Sequence, residues 1–189
     1  MKNLANNGEA RLLTYQQLTS VFVRGTIVLV RGNTVGSRIL SLDNEKLAYI
    51  AGFLDGDGCV TINFEKSKTC QLGYRVRVRI SFTQHSSRLD VLKVIYSWID
   101  SGVIAEYEHN WMAEYVIRNQ EDVRELLIRL LPYLIVKKQH AEISLKVLQL
   151  KEERYSTNSL EQMRQCAIIL RSLNHYPKRK YLDPVTTEA

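Results

Sequence analysis

The sequence predicts an α+β fold in the order helix, two strands, helix, two strands, helix, then further helices. Three observations lead there. Leu47, Ile50 and Leu54 recur at helical spacing. After Asp57 the period drops to two, with Val60, Ile62 and Phe64 alternating against Thr61, Asn63 and Glu65. The same change from helical to alternating periodicity then occurs once more downstream, and no second copy of the first helix follows.

Residues 1–42 read as an N-terminal extension of unknown role. Within it, residues 21–23 and 26–30 look like two strands around Arg24-Gly25, and Gly32, Asn33 and Gly36 punctuate the path to the first helix. A small hairpin docked on the main domain, an unstructured leader and an organellar transit segment all fit, the last weakened by Glu9. Residues 43–175 form the main domain. Asp43 or Asn44 caps the first helix, and Glu45 lies in the first turn, where the helix dipole favours negative charge. A strand over 59–66 leads through Lys66, Ser67, Lys68 and Thr69 to Gly73 and a second strand over 74–83. That strand sets Arg75, Arg77, Arg79 and Ser81 against Val76, Val78, Ile80 and Phe82.

Ser87-x-x-Asp90 has the spacing of a capping box, opening a helix to about Ser101 on Leu89, Leu92, Val94, Ile95 and Trp98. Residues 103–109 and 111–118 flank Asn110 as the second strand pair. Trp111, Ala113, Tyr115 and Ile117 take one side, and Met112, Glu114, Val116 and Arg118 the other. Helices follow over 120–131, stopping at Pro132, and over 136–150. Asn158-x-x-Glu161 caps a last helix with Met163, Ala167, Leu170 and Leu173 on its core face. Residues 176–189 form a basic C-terminal tail around Lys178-Arg179-Lys180.

At 189 residues the chain suffices for one domain with a real core. A net charge of +6 and a pI near 9.2 permit nucleic-acid binding without requiring it. Cys59, Cys70 and Cys166 show neither zinc nor disulfide spacing, which fits a reducing compartment. No apolar run approaches the ~20 residues of a membrane span, and no secretory signal layout is expected at the N-terminus.

From Leu47 to Gly58 the chain reads LAYIAGFLDGDG. Asp-Gly-Asp-Gly alone is ordinary turn composition. A calcium loop is excluded because positions 6 and 12 counted from Asp55 hold Val60 and Lys66. Neither reading explains the small face of Ala48, Ala51, Gly52, Asp55 and Gly56, which lets two helix backbones approach within the usual ~8–10 Å axis separation. The stretch resembles the signature of the LAGLIDADG homing endonucleases. Its single occurrence places the resemblance with the homodimeric class, and the similarity runs over roughly residues 44–150. The resemblance implies the αββαββα fold, with a saddle-shaped antiparallel sheet whose concave face lies on DNA and additional C-terminal helices. It also implies that Ala48, Ala51, Gly52, Asp55 and Gly56 form the dimer interface.

Phosphodiester hydrolysis needs hard oxygen ligands for Mg²⁺, and two copies of one carboxylate meeting at a dimer axis, completed by scissile phosphates, would supply them. The resemblance assigns the metal to Asp57 and the Gly56 carbonyl, leaving Asp55 as a helix-end capping group. It also implies that Gln84 orients active-site water, that Arg88 lies near the scissile phosphate, and that Lys137 stabilises developing negative charge. Taken singly, Gln84 closes a strand equally well, and Arg88 and Lys137 read equally well as solvated surface charges.

Alternation predicts the groove face: Thr61, Asn63, Glu65, Arg75, Arg77, Arg79 and Ser81 from the first hairpin, and Tyr107, His109, Glu114, Val116 and Arg118 from the second. Three arginines in a row repel unless something anionic covers them. A solvated charged face is the ordinary alternative. Glu65 and Glu114 could accept from cytosine N4, while Lys66 and Lys68 at the hairpin tip suit backbone phosphate.

The expectation is a homodimeric, Mg²⁺-dependent, site-specific double-strand DNA endonuclease with a long, nearly palindromic target and a role in intron homing. It would work in an organelle (chloroplast or mitochondrion) or a microbial cytoplasm, with no membrane partner. The alternatives are an RNA-binding maturase acting on its own intron RNA and a catalytically inactive DNA-binding regulator. A purely structural protein ranks third, predicting no salt-dependent affinity for nucleic acid.

Overall fold

The computed structural model describes residues 18–23, 26–31, 38–153 and 156–174. Helix α1 (Asn44–Asp57) starts at Asp43, whose carboxylate accepts the Lys46 amide at 2.8 Å. It buries Leu47, Ile50, Ala51 and Leu54. Asp57 is the last helical residue rather than one step beyond the helix. The junction is tight: a Cβ at Gly58 would sit 2.5 Å from Leu54 Cδ1 and 2.7 Å from Leu54 Cα. Only glycine lets the chain pass directly from α1 into a strand there.

Strand β1 (Leu18–Val23) pairs with β2 (Thr26–Arg31), and β3 (Gly58–Lys66) with β4 (Tyr74–His85). Strands β5 (Val103–Tyr107) and β6 (Met112–Ile117) complete one antiparallel sheet of order β1-β2-β5-β6-β4-β3. Of the readings for the N-terminal extension, the docked hairpin is therefore the one the sheet contains, joined through Thr26 opposite Tyr107 and Leu29 opposite Ile104. Ile39 and Leu42, upstream of the expected domain boundary, are buried in the main core, and the Arg129 guanidinium donates to both of their carbonyls at 2.6 Å.

Helices α2 (Leu89–Ile99), α3 (Gln120–Leu130), α4 (Lys138–Glu153) and α5 (Thr157–Leu173) share with α1 a single hydrophobic core. The sheet supplies Val60, Ile62, Val76, Val78, Ile80, Phe82, Ile104, Tyr115 and Ile117 to that core, all on one face as their alternation requires. A run of aromatic contacts stitches the two layers, from Trp98 through Tyr49, Phe53 and Phe82 to Tyr115 and Tyr96, each pair 5.5–6.3 Å apart between ring centres. Where β6 ends at Ile117, the Gln120 side chain continues the ladder. It accepts the Val78 amide at 3.0 Å and donates to the Val78 carbonyl at 2.8 Å.

Three local expectations need correction. Ser86–Arg88 is a 3-10 turn, and His85 Nδ1 accepts the Ser87 amide, so Ser87 opens no capping box and α2 begins at Leu89. Ser156, in a reciprocal box with Ser159, caps α5 in place of Asn158 and Glu161. Trp111 is 67% exposed because its φ of 54° belongs to the turn before β6, which breaks the alternation that would have buried it.

Candidate active site and nucleic-acid face

Two carboxylates crowd the C-terminal turn of α1, where the helix dipole is negative and favours cations instead. Asp55 is compensated within the chain. Its carboxylate accepts the amides of Ile135, Val136 and Lys137 at 2.8, 3.1 and 2.8 Å, the segment leading into α4. Its backbone carbonyl accepts the Lys137 ammonium at 2.8 Å. The side chain thus caps the start of α4 within its own chain, as its reading as a capping group expects.

Asp57 is exposed, and its Oδ2 accepts the Gln84 side-chain amide at 2.7 Å. Gln84 lies near the end of β4, so α1, β4 and the segment before α4 converge and bring Asp57, Gln84 and Lys137 to one helix end. Arg88 is exposed in the 3-10 turn just beyond β4. Gly56 is among the last four residues of α1, whose carbonyls lack a helical amide by geometry. Asp57 and the Gly56 carbonyl are hard oxygen donors, a set that suits Mg²⁺ rather than a soft metal. No cluster of three or more His, Cys, Asp or Glu able to hold a metal occurs among the described residues. Of the two carboxylates at the end of α1, Asp57 is therefore the exposed one.

The small-residue face is only partly exposed. Ala48, Gly52 and Gly56 face solvent, but Ala51 is fully buried in the core. A methyl group added at Gly52 or Gly56 would meet nothing within 4 Å.

The sheet face opposite the helices carries the predicted polar stripe. Thr61, Asn63 and Arg77 are half-buried, while Glu65, Lys66, Lys68, Arg75, His109 and Arg118 are exposed. Ser81 and Val116 are 3% and 2% exposed, which removes them from the accessible surface. The register explains why. Glu114 pairs opposite Thr83, yet Arg79 reaches it at 2.9 Å, so the arginine side chain runs along β4 above the Ser81–Val116 row. Acids of the same sheet pair with two of the three arginines: Glu65 with Arg77 at 3.2 Å and Glu114 with Arg79 at 2.9 Å. These two glutamates were expected to read cytosine, and the sequence could not show their partners because each pairing depends on strand register. Helix α4 also contributes a feature missed from sequence. His140 is buried, its Nε2 3.0 Å from Asn174 Oδ1, and burial pushes its pKa below the usual histidine value.

An exposed acid at the end of α1 thus lies beside a sheet face that carries Arg75, Arg77 and Arg79. The model of the LAGLIDADG endonuclease family matches residues 50–146, and the chain belongs to that family. It is 29% identical over 106 residues to DNA endonuclease I-CvuI of Chlorella vulgaris, covering 56% of this chain and 65% of the relative. To DNA endonuclease I-CreI of Chlamydomonas reinhardtii it is 23% identical over 107 residues, covering 57% and 64%. The matched segment therefore spans just under two thirds of either relative. Among solved structures, homing endonuclease I-CvuI in complex with the I-CreI target in the presence of Mg aligns with a TM-score of 0.65, 25% identity and coverage of 71% of this chain and 85% of that one. The archaeal intron-encoded I-Vdi141I complexed with DNA aligns with a TM-score of 0.64, 24% identity and coverage of 73% and 89%.

Proposed function

We propose that this chain is a site-specific double-strand DNA endonuclease that acts as a homodimer with Mg²⁺ in intron homing. The convergence of Asp57, Gln84 and Lys137 at the end of α1, beside the arginine-bearing sheet face, carries the reading. The similarity to I-CvuI and I-CreI, both DNA endonucleases by name, supports it. Bound Mg²⁺ would lower the pKa of a water nucleophile and neutralise charge on the phosphorane. Asp57 and the Gly56 carbonyl would hold it. Gln84 fixes the Asp57 carboxylate through its amide N–H, which leaves the amide oxygen to orient water. Lys137, anchored at the helix end, offers a fixed ammonium toward charge developing on the phosphate.

One exposed carboxylate at the end of α1 is too little for this chemistry, which argues for a second copy. Gly52 and Gly56, exposed one turn apart with open space above them, leave room for a closely packed partner helix. Gly52→Leu should fold normally yet sediment as a monomer. A mass equal to that of the wild type would remove this face from the interface.

The deciding experiment is selection of cleaved products from a randomised duplex library in Mg²⁺, with Asp57→Asn in parallel. Wild type alone should enrich a long, nearly palindromic site cut on both strands. If neither protein cuts, the selection is repeated for binding: specific duplex binding would replace the reading with a DNA-binding regulator, and preference for structured RNA with the maturase.

A further inference from the structure

Arg79, Glu114 and Tyr107 form one connected polar unit across β4, β6 and β5. Arg79 donates to Glu114 Oε1 at 2.9 Å, and the Tyr107 hydroxyl donates to Glu114 Oε2 at 3.2 Å. Both carboxylate oxygens are thereby engaged, and the Glu114 side chain is only 16% exposed. Burial first, then the charge and hydrogen bond of Glu114, push the Tyr107 pKa up, which keeps its proton in place as the donor. The Arg79 stem is enclosed to the point that Nε is buried without a partner, yet 31% of the side chain remains open. The other arginines of the stripe are held loosely. Arg77 pairs with a half-exposed Glu65 at 3.2 Å, and exposed Arg75 reaches the turn before β4, 3.3 Å from Thr69 Oγ1 and beside Cys70.

These differences separate two jobs. Attraction to phosphate needs net positive charge and tolerates a mobile side chain, whereas reading a base needs a donor fork aimed before binding. Arg79 has its charge matched by Glu114 and its direction fixed by Glu114 and Tyr107. It is therefore a weak phosphate attractor and a preorganised donor. Among base edges in the major groove, guanine O6 and N7 match an arginine fork.

Building on the endonuclease reading, we infer that Arg79 specifies a guanine in each half of the target, with Glu114 and Tyr107 as the positioning residues that aim it. Glu114, only 16% exposed and already bonded through each oxygen, acts on the base through Arg79. Arg75 and Arg77 serve phosphate.

The test is a base-substitution profile of binding, measured in Ca²⁺ on the duplex that the wild type selects. Arg79→Ala and Glu114→Gln should each lower the preference for guanine at one position per half-site, by about 10- to 100-fold, and leave other positions unchanged. Arg75→Ala should weaken binding to all sequences alike and make the salt dependence shallower. Tyr107→Phe removes a single hydroxyl and should shift the same position by a smaller factor, so it carries the test if Glu114→Gln does not fold. An unchanged profile in Arg79→Ala, or an equal flattening of every position in the positioning variants, would overturn the inference while leaving the endonuclease intact. Failure of the wild type to select any duplex would overturn both.

Discussion

Asp55 and Asp57 stand two residues apart at the same helix end, and their surroundings differ completely. The inner carboxylate meets three amides leading into α4, so its charge is answered inside the chain. The outer one faces solvent with one amide from Gln84, against a helix dipole that disfavours it. A carboxylate held in the wrong field without an internal cation is poised for one from outside. The first acid therefore belongs to the scaffold, and the second is the one the proposed endonuclease reading uses to hold the metal.

The largest effect expected from this contrast is in Asp57→Asn. Cleavage should fall by at least about 10³-fold while the thermal midpoint stays within error, because only an exposed hydrogen bond changes. A large drop in melting temperature would make Asp57 a scaffold residue and collapse the distinction. Gly58→Ala comes next and touches both properties. The added methyl overlaps Leu54, which should cost ~2–3 kcal/mol, lower the midpoint by about 5–10 °C and displace Asp57 enough to slow cleavage. Full cleavage in that variant would show that the helix end need not be so tight. Asp55→Ala should have the smallest effect, ~1–2 kcal/mol or about 3–6 °C, by analogy with loss of a helix cap. Scanning calorimetry would register it, and an unchanged midpoint would mean that the three amides find water instead.

The sequence made one half of this contrast legible. The period of α1, the alternation of β3 and β4 and the acid at the end of the motif are local patterns, and the fold followed from them. The partner of Asp55 was hidden because it lies some eighty residues away and is backbone, which no side-chain pattern encodes. Ala51 and Gly52 were assigned to one face because small residues wrap the helix. The packing of neighbouring Ile50 and Leu54 decides that Ala51 turns inward and Gly52 outward. Ser81 and Val116 obey the predicted alternation, yet Arg79 covers them, a consequence of rotamer and register together. Serine and asparagine are near equal as caps, so the choice of Ser156 over Asn158 rests on its reciprocal bonds with Ser159.

The edge pairing of β2 with β5 has a consequence for the order of assembly. Thr26 meets Tyr107 only after α1, β3, β4 and α2 have been placed between them, so closing this contact spans a long loop. Contacts of such separation are slow to form and add little to a nucleus, whereas β3 and β4 are joined by a short turn. Strands β3 to β6 should thus gain amide protection first during refolding, and the β1–β2 hairpin should zip on afterwards. The sheet is then built outward from the motif helix, with the youngest strands farthest from Asp57.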